Sequence, residues 1–210
     1  MATAALILLG YLLGSMPWGY WLPRLLRGAD VRRLGSGNLG AANVWRTLGF
    51  KLALAVAFLD IAKGLSVALL ADALRGELVG VLAGVAAMVG HWRPLFLRFA
   101  RGGKTVATTG GVGLALALFP CLAAGVVWTT VFLVTRYTSA ASMAGALSFP
   151  FLALLFGEPW PVLAFACGAA VAILLLHRGN ISRLLAGTEN RFELRRRGAT
   201  GQRASDLRAS

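Results

Sequence analysis

The stretch 35–49, "GSGNLGAANVWRTLG", places glycines beside hydroxyl, amide and guanidinium side chains between two apolar blocks. Glycines let backbone N–H groups come close to a ligand, and turns of this kind bind anions. Ser36, Asn38 and Asn43 add hydrogen-bonding groups, and Arg46 can bind phosphate through two hydrogen bonds. The stretch therefore predicts an anion site, with a tightly packed glycine-rich connector as the structural alternative.

The spacing Gly35-x-Gly37-x-x-Gly40 also occurs in dinucleotide-binding folds. Those folds need a strand before the glycines and a β-α-β unit around them, and this chain offers neither. The match is a coincidence of spacing, and Gly37 is assigned to the predicted anion-binding turn instead.

A second glycine-rich segment, "RGGKTVATTGG", spans residues 101–111. A nucleotide-binding P-loop would need a glycine where Arg98 stands, so that motif is excluded. Gly102 and Gly103 are expected to offer backbone donors, with Lys104 as a positive charge at the N-terminus of a helix. The alternative is a lysine that reaches from an apolar segment to the membrane surface.

In the segment "HRGNISRLLAGTE", His177 is followed closely by four polar residues, namely Asn180, Arg183, Thr188 and Glu189. An isolated histidine is more often structural than catalytic, but these neighbours favour His177 over His91 as a functional residue. No third ligand has a suitable spacing from the two histidines, so a metal site is not predicted.

Other polar residues interrupt the apolar segments. Asp60 and Lys63 share a helix face at i and i+3, which favours a structural ion pair. Ser139 and Ser142 begin an apolar segment, and Ser139 can be explained as a helix N-cap. No serine stands in a nucleophile elbow.

The elements that must position these residues are membrane helices. Of 210 residues, 58% are hydrophobic and 14% are charged, and the mean hydropathy is +0.72. A soluble domain carries about 25% charged residues. The composition predicts an all-α integral membrane protein with seven transmembrane helices, near 3–22, 52–71, 78–92, 106–120, 121–135, 140–157 and 161–176.

The basic residues set the orientation of this arrangement. With seven spans, 19 of the 21 Lys and Arg residues fall on one side of the membrane. The positive-inside rule then places the N-terminus outside and the C-terminus in the cytoplasm, with every glycine-rich motif on the cytoplasmic face. Residues 1–190 are expected to form one membrane domain, and 191–210 a basic, flexible cytoplasmic tail.

The net charge of +13 raises the question of nucleic acid, but the basic residues lack interleaved aromatic platforms. Nucleic-acid binding is therefore not expected, and membrane lipids are the expected partners of these charges.

In combination, five motifs resemble those of the bacterial acyl-phosphate:glycerol-3-phosphate acyltransferases, the PlsY family. They are "GSGNLGAANVWRTLG", "DIAKG", "GHWRP…FARGGKTVAT", "RYTSAAS" and "HRGNISRLLAGTE", in the family's order over residues 35–190. The resemblance implies a seven-span enzyme of the bacterial inner membrane with a cytoplasmic active site. It implies transfer of a fatty acyl group from acyl phosphate to the 1-hydroxyl of sn-glycerol 3-phosphate, without metal or cofactor.

The resemblance also assigns roles by matching position. Ser36 and nearby N–H groups would hold the acyl phosphate, and Glu189 would brace the last loop. Four further residues, Arg46, Lys104, His177 and Asn180, would bind phosphate groups and orient glycerol 3-phosphate. The expected substrate-binding residues are Gly37, Asn38, Asn43, Gly102, Gly103, Ser142, Arg183 and Glu189.

The chain departs from the family pattern at Ala42, where a threonine is usual, and at Arg101 and Thr105, where lysine and glycine are usual. The Thr105 departure is expected to affect the shape of the second glycine-rich loop.

Two other functions compete with this one. A transporter of an anionic phosphorylated metabolite would also concentrate glycines and positive charge, but on both faces or near the middle of the bilayer. A phosphatidyl-group transferase would need an aspartate-rich metal site, whereas the eight acidic residues here are scattered. The predicted enzyme is expected to act as a monomer.

Overall fold

The computed structural model describes residues 1–192, and the regular elements within that range are all helical. Two short 3-10 turns, Val31–Arg33 and Leu95–Leu97, accompany ten α-helices. The α-helices are α1 (Ala2–Gly14), α2 (Trp18–Arg27), α3 (Ala41–Leu48), α4 (Phe50–Arg75), α5 (Glu77–Trp92), α6 (Val106–Leu116), α7 (Leu118–Thr135), α8 (Thr138–Leu155), α9 (Trp160–Leu176) and α10 (Arg178–Leu185).

Five of the described elements are long and apolar enough to cross a membrane: α1 with α2, α4, α5 with its following turn, α7 and α8. A sixth is obtained if α9 and α10, which are bent by 58°, count as one span. The remaining predicted segment corresponds to α6, whose 11 residues extend only about 16 Å. That length is about half of the ~30 Å hydrocarbon layer.

Two boundaries differ from the sequence prediction. The predicted span 3–22 is interrupted between Gly14 and Trp18, where Pro17 supplies no N–H to continue the helix. The predicted boundary at Pro120 lies instead at Ala117, which leaves the helical conformation (φ −148°, ψ 66°). Pro120 stands in the first turn of α7, where a backbone N–H has no helical partner and proline is tolerated.

Small residues let α1, α4, α5 and α6 pack closely. Gly10 and Gly14 of α1 lie directly against the backbone of Ala83 and Ala87 in α5. Membrane helices associate through such close backbone contacts because lipid provides no hydrophobic drive between helices. Side chains of α4, α6, α7 and α8 contribute to the lining of a cavity within the bundle.

We expect the α1–α5 contact to control stability. A Cβ atom on Gly90 would come within 2.7 Å of the backbone nitrogen of Ser15, so Gly90→Ala must push the two helices apart. Overpacking of this kind costs about 1–3 kcal/mol, or about 5 °C in the thermal unfolding midpoint of the protein in detergent. Gly168→Ala on α9 is the control, because a Cβ there meets nothing within 4 Å and its midpoint should not fall.

Candidate active site

One cavity of about 850 Å³ gathers residues from all three polar segments. Ten residues that the sequence predicted line it: Ser36, Asn38, Asn43, Arg46, Lys104, Ser142, His177, Asn180, Arg183 and Glu189. Gly37, Gly102 and Gly103 belong to the turns beside the cavity and do not line it. The predicted convergence of the three segments is therefore present in the fold.

Glu189 connects the elements around the polar end of this cavity. Its Oε1 accepts hydrogen bonds from Ser139 Oγ at 2.9 Å and Asn180 Nδ2 at 2.6 Å, and its Oε2 accepts one from Arg183 Nε at 2.7 Å. Burial raises the pKa of the Glu189 carboxyl, but the bonds from Asn180, Ser139 and Arg183 outweigh it and hold that pKa below its ordinary value. An ionised Glu189 thus ties α8 and α10 to the last loop.

Lys104 and Asn180 form the next contact of this network. Lys104 Nζ donates to Asn180 Oδ1, so the Asn180 amide is fixed between the lysine and Glu189. Burial is the main reason that the pKa of Lys104 falls to about 8. Glu189 opposes that shift, while Arg46 and Arg183 add to it.

Arg46 lies at the end of α3 and presents a guanidinium group to the cavity. Its Nε atom is buried and has no hydrogen-bond partner within residues 1–192. The guanidinium carbon lies 4.9 Å from the centre of the Phe192 ring, and Phe192 in turn packs against Trp45 and Phe132. Burial lowers the pKa of Arg46, yet a guanidinium stays protonated in proteins.

His177 occupies the bend between α9 and α10 and is 3% exposed. Its Nδ1 atom lies 2.8 Å from the carbonyl oxygen of Ile173. Because a carbonyl can only accept, Nδ1 carries the proton of the neutral ring, and Nε2 is left as an acceptor. His177 can therefore take a proton at Nε2.

The first glycine-rich turn is shaped mainly by Asn43. Its Oδ1 accepts from the Ser36 N–H at 3.0 Å, and its Nδ2 donates to the carbonyls of Leu34 and Asn38, each at 3.0 Å. Gly37 has the positive φ of 69° that the turn requires. The amide of Asn43 is thus used within the turn, whereas the Ser36 hydroxyl makes no hydrogen bond to the described part of the chain.

The second glycine-rich loop differs from the sequence expectation. The N–H groups of Gly102 and Gly103 donate to the carbonyls of Trp92 and His91, at 2.9 and 3.1 Å, so they are not free donors. Thr105 has a left-handed conformation with φ of 63°, which is uncommon for a β-branched residue. The contribution of this loop to a ligand is consequently Lys104.

Ser142 and Ser139 of α8 both line the cavity, and each side chain makes hydrogen bonds. Ser142 Oγ donates to the Thr138 carbonyl at 2.7 Å and accepts from Trp128 Nε1 at 3.2 Å. Ser139, interpreted from the sequence as a possible cap, bonds the buried Glu189. Its pairing across 50 residues left no local signal in the sequence.

The other end of the cavity is apolar and lies among the long helices. Its walls include Ile61 of α4, Leu122 and Val126 of α7, and Phe149 of α8. From Ser139 to Phe149 the cavity follows α8 for about 15 Å. A single space thus offers cations and hydrogen-bond donors at one end and room for an alkyl chain at the other.

Residues 1–192 contain no group of three or more His, Cys, Asp or Glu side chains arranged to hold a metal ion. Of the predicted tail, residues 191 and 192 contact the cavity region, where the Phe192 N–H donates to the Arg136 carbonyl at 2.9 Å. Residues 193–210 lie outside the described range.

Comparisons with known proteins agree on one family. A model of the glycerol-3-phosphate acyltransferase family matches residues 4–187. The glycerol-3-phosphate acyltransferase of Desulforamulus reducens is 44% identical over 189 residues, which cover 89% of this chain and 94% of that protein.

Solved structures also resemble this fold. A crystal structure of PlsY, an integral membrane glycerol 3-phosphate acyltransferase, in its glycerol 3-phosphate form has a TM-score of 0.88 and 40% identity, over 92% of this chain and 96% of that one. Its lysophosphatidic acid form has a TM-score of 0.86 and 38% identity over the same shares. The shared fold makes this chain an all-helical, multi-pass integral membrane protein.

The Glu189 network predicts a pH-dependent stability. Glu189→Gln should lower the thermal midpoint by about 5 °C at pH 7, because losing a charge-assisted hydrogen bond costs about 2 kcal/mol. Since the folded-state pKa of Glu189 lies below the unfolded value, the advantage of the wild type is complete above that unfolded value. It should disappear as the pH falls through the folded-state pKa.

Thermal unfolding in detergent between pH 3 and pH 8 measures this difference. Glu158→Gln is the control, since the side chain of Glu158 makes no hydrogen bond or ion pair within residues 1–192. An equal effect of the two substitutions at pH 7 would contradict the network.

Proposed function

The chain belongs to the PlsY-type glycerol-3-phosphate acyltransferase family, and we propose that it transfers a fatty acyl group from acyl phosphate to the 1-hydroxyl of sn-glycerol 3-phosphate. The products are lysophosphatidic acid and inorganic phosphate, in the first step of phospholipid synthesis. The observation that supports this most strongly is the single cavity that joins a cationic end to an apolar chamber. Both substrates carry phosphate, and one of them also carries an alkyl chain.

The cationic end suits the phosphate groups of the two substrates. Arg46 and Lys104 supply positive charge inside a partly buried space, where charge-assisted hydrogen bonds are stronger than in water. Asn180 fixes the Lys104 ammonium, and the Ser36 hydroxyl, which has no hydrogen-bond partner within residues 1–192, adds a donor beside the first glycine-rich turn. His177 completes the set that binds phosphate and orients glycerol 3-phosphate.

The reaction proposed is a direct transfer. The 1-hydroxyl oxygen of glycerol 3-phosphate attacks the acyl carbonyl, the carbonyl carbon–phosphate oxygen bond breaks, and phosphate leaves with the electron pair. Positioning the two substrates in one cavity supplies up to about 7–11 kcal/mol of the barrier reduction, and the cations stabilise the growing negative charge. The hydroxyl proton passes to a substrate phosphate oxygen or to Nε2 of His177.

We also propose an orientation for the protein in the membrane. Seven crossings with the N-terminus outside place the N-terminal ends of α4, α6 and α8 in the cytoplasmic half of a bacterial inner membrane, beside the active site. The α6–α7 junction at Ala117 is 2% exposed, and a break at membrane depth is tolerated when protein covers it.

The purified protein should release phosphate when supplied with acyl phosphate and glycerol 3-phosphate. Mass spectrometry should identify lysophosphatidic acid, and EDTA should leave the rate unchanged because no residue role requires a metal. Acyl-CoA should not replace acyl phosphate. Activity with acyl-CoA, or an acylated protein that accumulates during turnover, would refute the proposed donor or the direct transfer.

The decrease of kcat/KM at alkaline pH should follow the deprotonation of Lys104. Since the pKa of Lys104 is about 8 and its charged form binds phosphate, kcat/KM for glycerol 3-phosphate should fall above that pH, approaching about tenfold per pH unit. Lys104→Arg should move this fall beyond pH 10, whatever its effect on the maximal rate, because arginine keeps its proton.

Lys51→Arg serves as the matched control for this pH profile, since Lys51 is exposed at the start of α4 and does not line the cavity. Its kcat/KM profile should match that of the wild type. A Lys104→Arg enzyme that still loses activity near pH 8 would assign the alkaline limb to another group.

A further inference from the structure

A charged cluster lies inside the helix bundle and has no role in the proposed reaction. It consists of Asp60 and Lys63 on α4 and His91 on α5, which are 1%, 5% and 8% exposed. Ionisable side chains within membrane segments are costly to keep there and are usually connected with function. The Asp60–Lys63 ion pair, at 2.8 Å, matches the predicted i, i+3 contact.

Lys63 is the centre of the cluster. Its ammonium group contacts Asp60 Oδ1 at 2.8 Å, His91 Nδ1 at 2.7 Å and the carbonyl oxygen of Met16 at 3.1 Å. An ammonium group can only donate, so His91 Nδ1 and the Met16 carbonyl oxygen accept its hydrogen bonds, while Asp60 is held as an ion pair. The cluster thereby joins α4 and α5 to the break between α1 and α2.

The cluster continues through His91 into the loop that carries Lys104. The Gly103 N–H donates to the His91 carbonyl at 3.1 Å, and the Gly102 N–H donates to the Trp92 carbonyl at 2.9 Å. The imidazole ring itself lies against Gly103, where an added Cβ would come within 2.7 Å of Cε1 and 2.8 Å of Cδ2. The orientation of the ring therefore limits where the backbone preceding Lys104 can lie.

We propose that the cluster of Asp60, Lys63 and His91 is a positioning device for Lys104. Lys63 holds the His91 ring, the ring and backbone of His91 support Gly103, and Gly103 places the next residue, Lys104, at the phosphate-binding end of the cavity. The inference rests on the proposed function, because it assigns Lys104 to a substrate phosphate. Misplacing a group by about 1 Å can cost about 100-fold in rate, so precise support of this loop matters.

The position and the charges of the cluster indicate a role beyond packing. Asp60 and His91 line the cavity itself, so the cluster borders the site it supports. Apolar residues of similar volume often replace a buried ion pair without loss of stability. A cluster needed only for packing would gain nothing from its charges.

The test removes both charges of the ion pair together. In Asp60→Val/Lys63→Met no uncompensated charge remains buried, so the thermal midpoint should stay within about 5 °C of the wild type. We expect kcat/KM for glycerol 3-phosphate to fall by about 10- to 100-fold, because the His91 ring loses its anchor. A stable double variant with wild-type kcat/KM would overturn the proposal.

A mutant cycle with Lys104→Ala distinguishes positioning of Lys104 from a general defect. If the cluster acts through Lys104, Asp60→Val/Lys63→Met should lower the residual kcat/KM of Lys104→Ala by less than about twofold. Equal losses in the presence and absence of Lys104 would overturn the proposal. Radiolabelled glycerol 3-phosphate gives the sensitivity that the low residual rates require.

His91→Asn provides a second, independent variant. It removes the ring from beneath Gly103 but leaves the Asp60–Lys63 pair intact, and it should show the same non-additivity with Lys104→Ala. If neither cluster variant folds, the cluster is a requirement of the whole bundle, and a role specific to Lys104 is refuted.

Ser66→Ala is the matched control. Ser66 lies one turn from Lys63 on α4, is exposed, and does not line the cavity, so its loss should leave kcat/KM unchanged. Failure of the wild-type protein to make lysophosphatidic acid would refute the proposed function itself, which is a separate outcome from any result with the variants.

Discussion

The polar end of the cavity depends on one carboxylate among several cations. Arg46, Lys104 and Arg183 lie close enough to influence one another's charge, and Glu189 balances part of that charge. One negative group against three positive ones leaves an excess of about two positive charges. A phosphate monoester carries about −1.5 to −2 charges near neutral pH, so this excess is opposite in sign and similar in size to the charge of one phosphate group. Without Glu189, bringing these cations together would be opposed by their mutual repulsion.

Close helix packing provides the frame for this charged end. Glycines in α1 and α5 let the two backbones touch, and Gly64 and Gly111 do the same between α4 and α6. Contacts of this kind leave few alternative arrangements, because a packed backbone cannot slide without a clash. The large side chains are then free to surround a space, and the polar groups can sit where the helices begin and end.

Much of the site could be predicted from residue types and from the placement of charge. The positive-inside pattern and the glycine-rich segments indicated that Arg46, Lys104 and Asn180 would converge, and the cavity contains all three. What escaped prediction depends on contacts between residues distant in sequence. A hydroxyl at the start of a helix looks like a cap whether or not it bonds a glutamate 50 residues later, as Ser139 does.

Backbone groups were equally hard to assign from the sequence. Glycines in the sequence indicate that backbone N–H groups are accessible. They do not reveal that the N–H groups of Gly102 and Gly103 already donate hydrogen bonds to the carbonyls of Trp92 and His91. The boundary between two predicted spans was placed at Pro120, whereas Pro120 is accommodated in the first turn of α7 and Ala117 marks the break. The local sequence indicates which residues can donate hydrogen bonds and where a helix can end. Tertiary contacts decide which partners those residues have.

The aromatic contact of Phe192 changes the electrostatic surroundings of Arg46. Its ring is 4.6 Å from that of Trp45 and covers one face of the Arg46 guanidinium, so it keeps water from that face. Electrostatic attraction strengthens as the surroundings become less polarisable, so the end of the described chain governs how strongly Arg46 attracts an anion. Phe192, which is remote in sequence from the glycine-rich turns, thereby affects how strongly Arg46 attracts an anion.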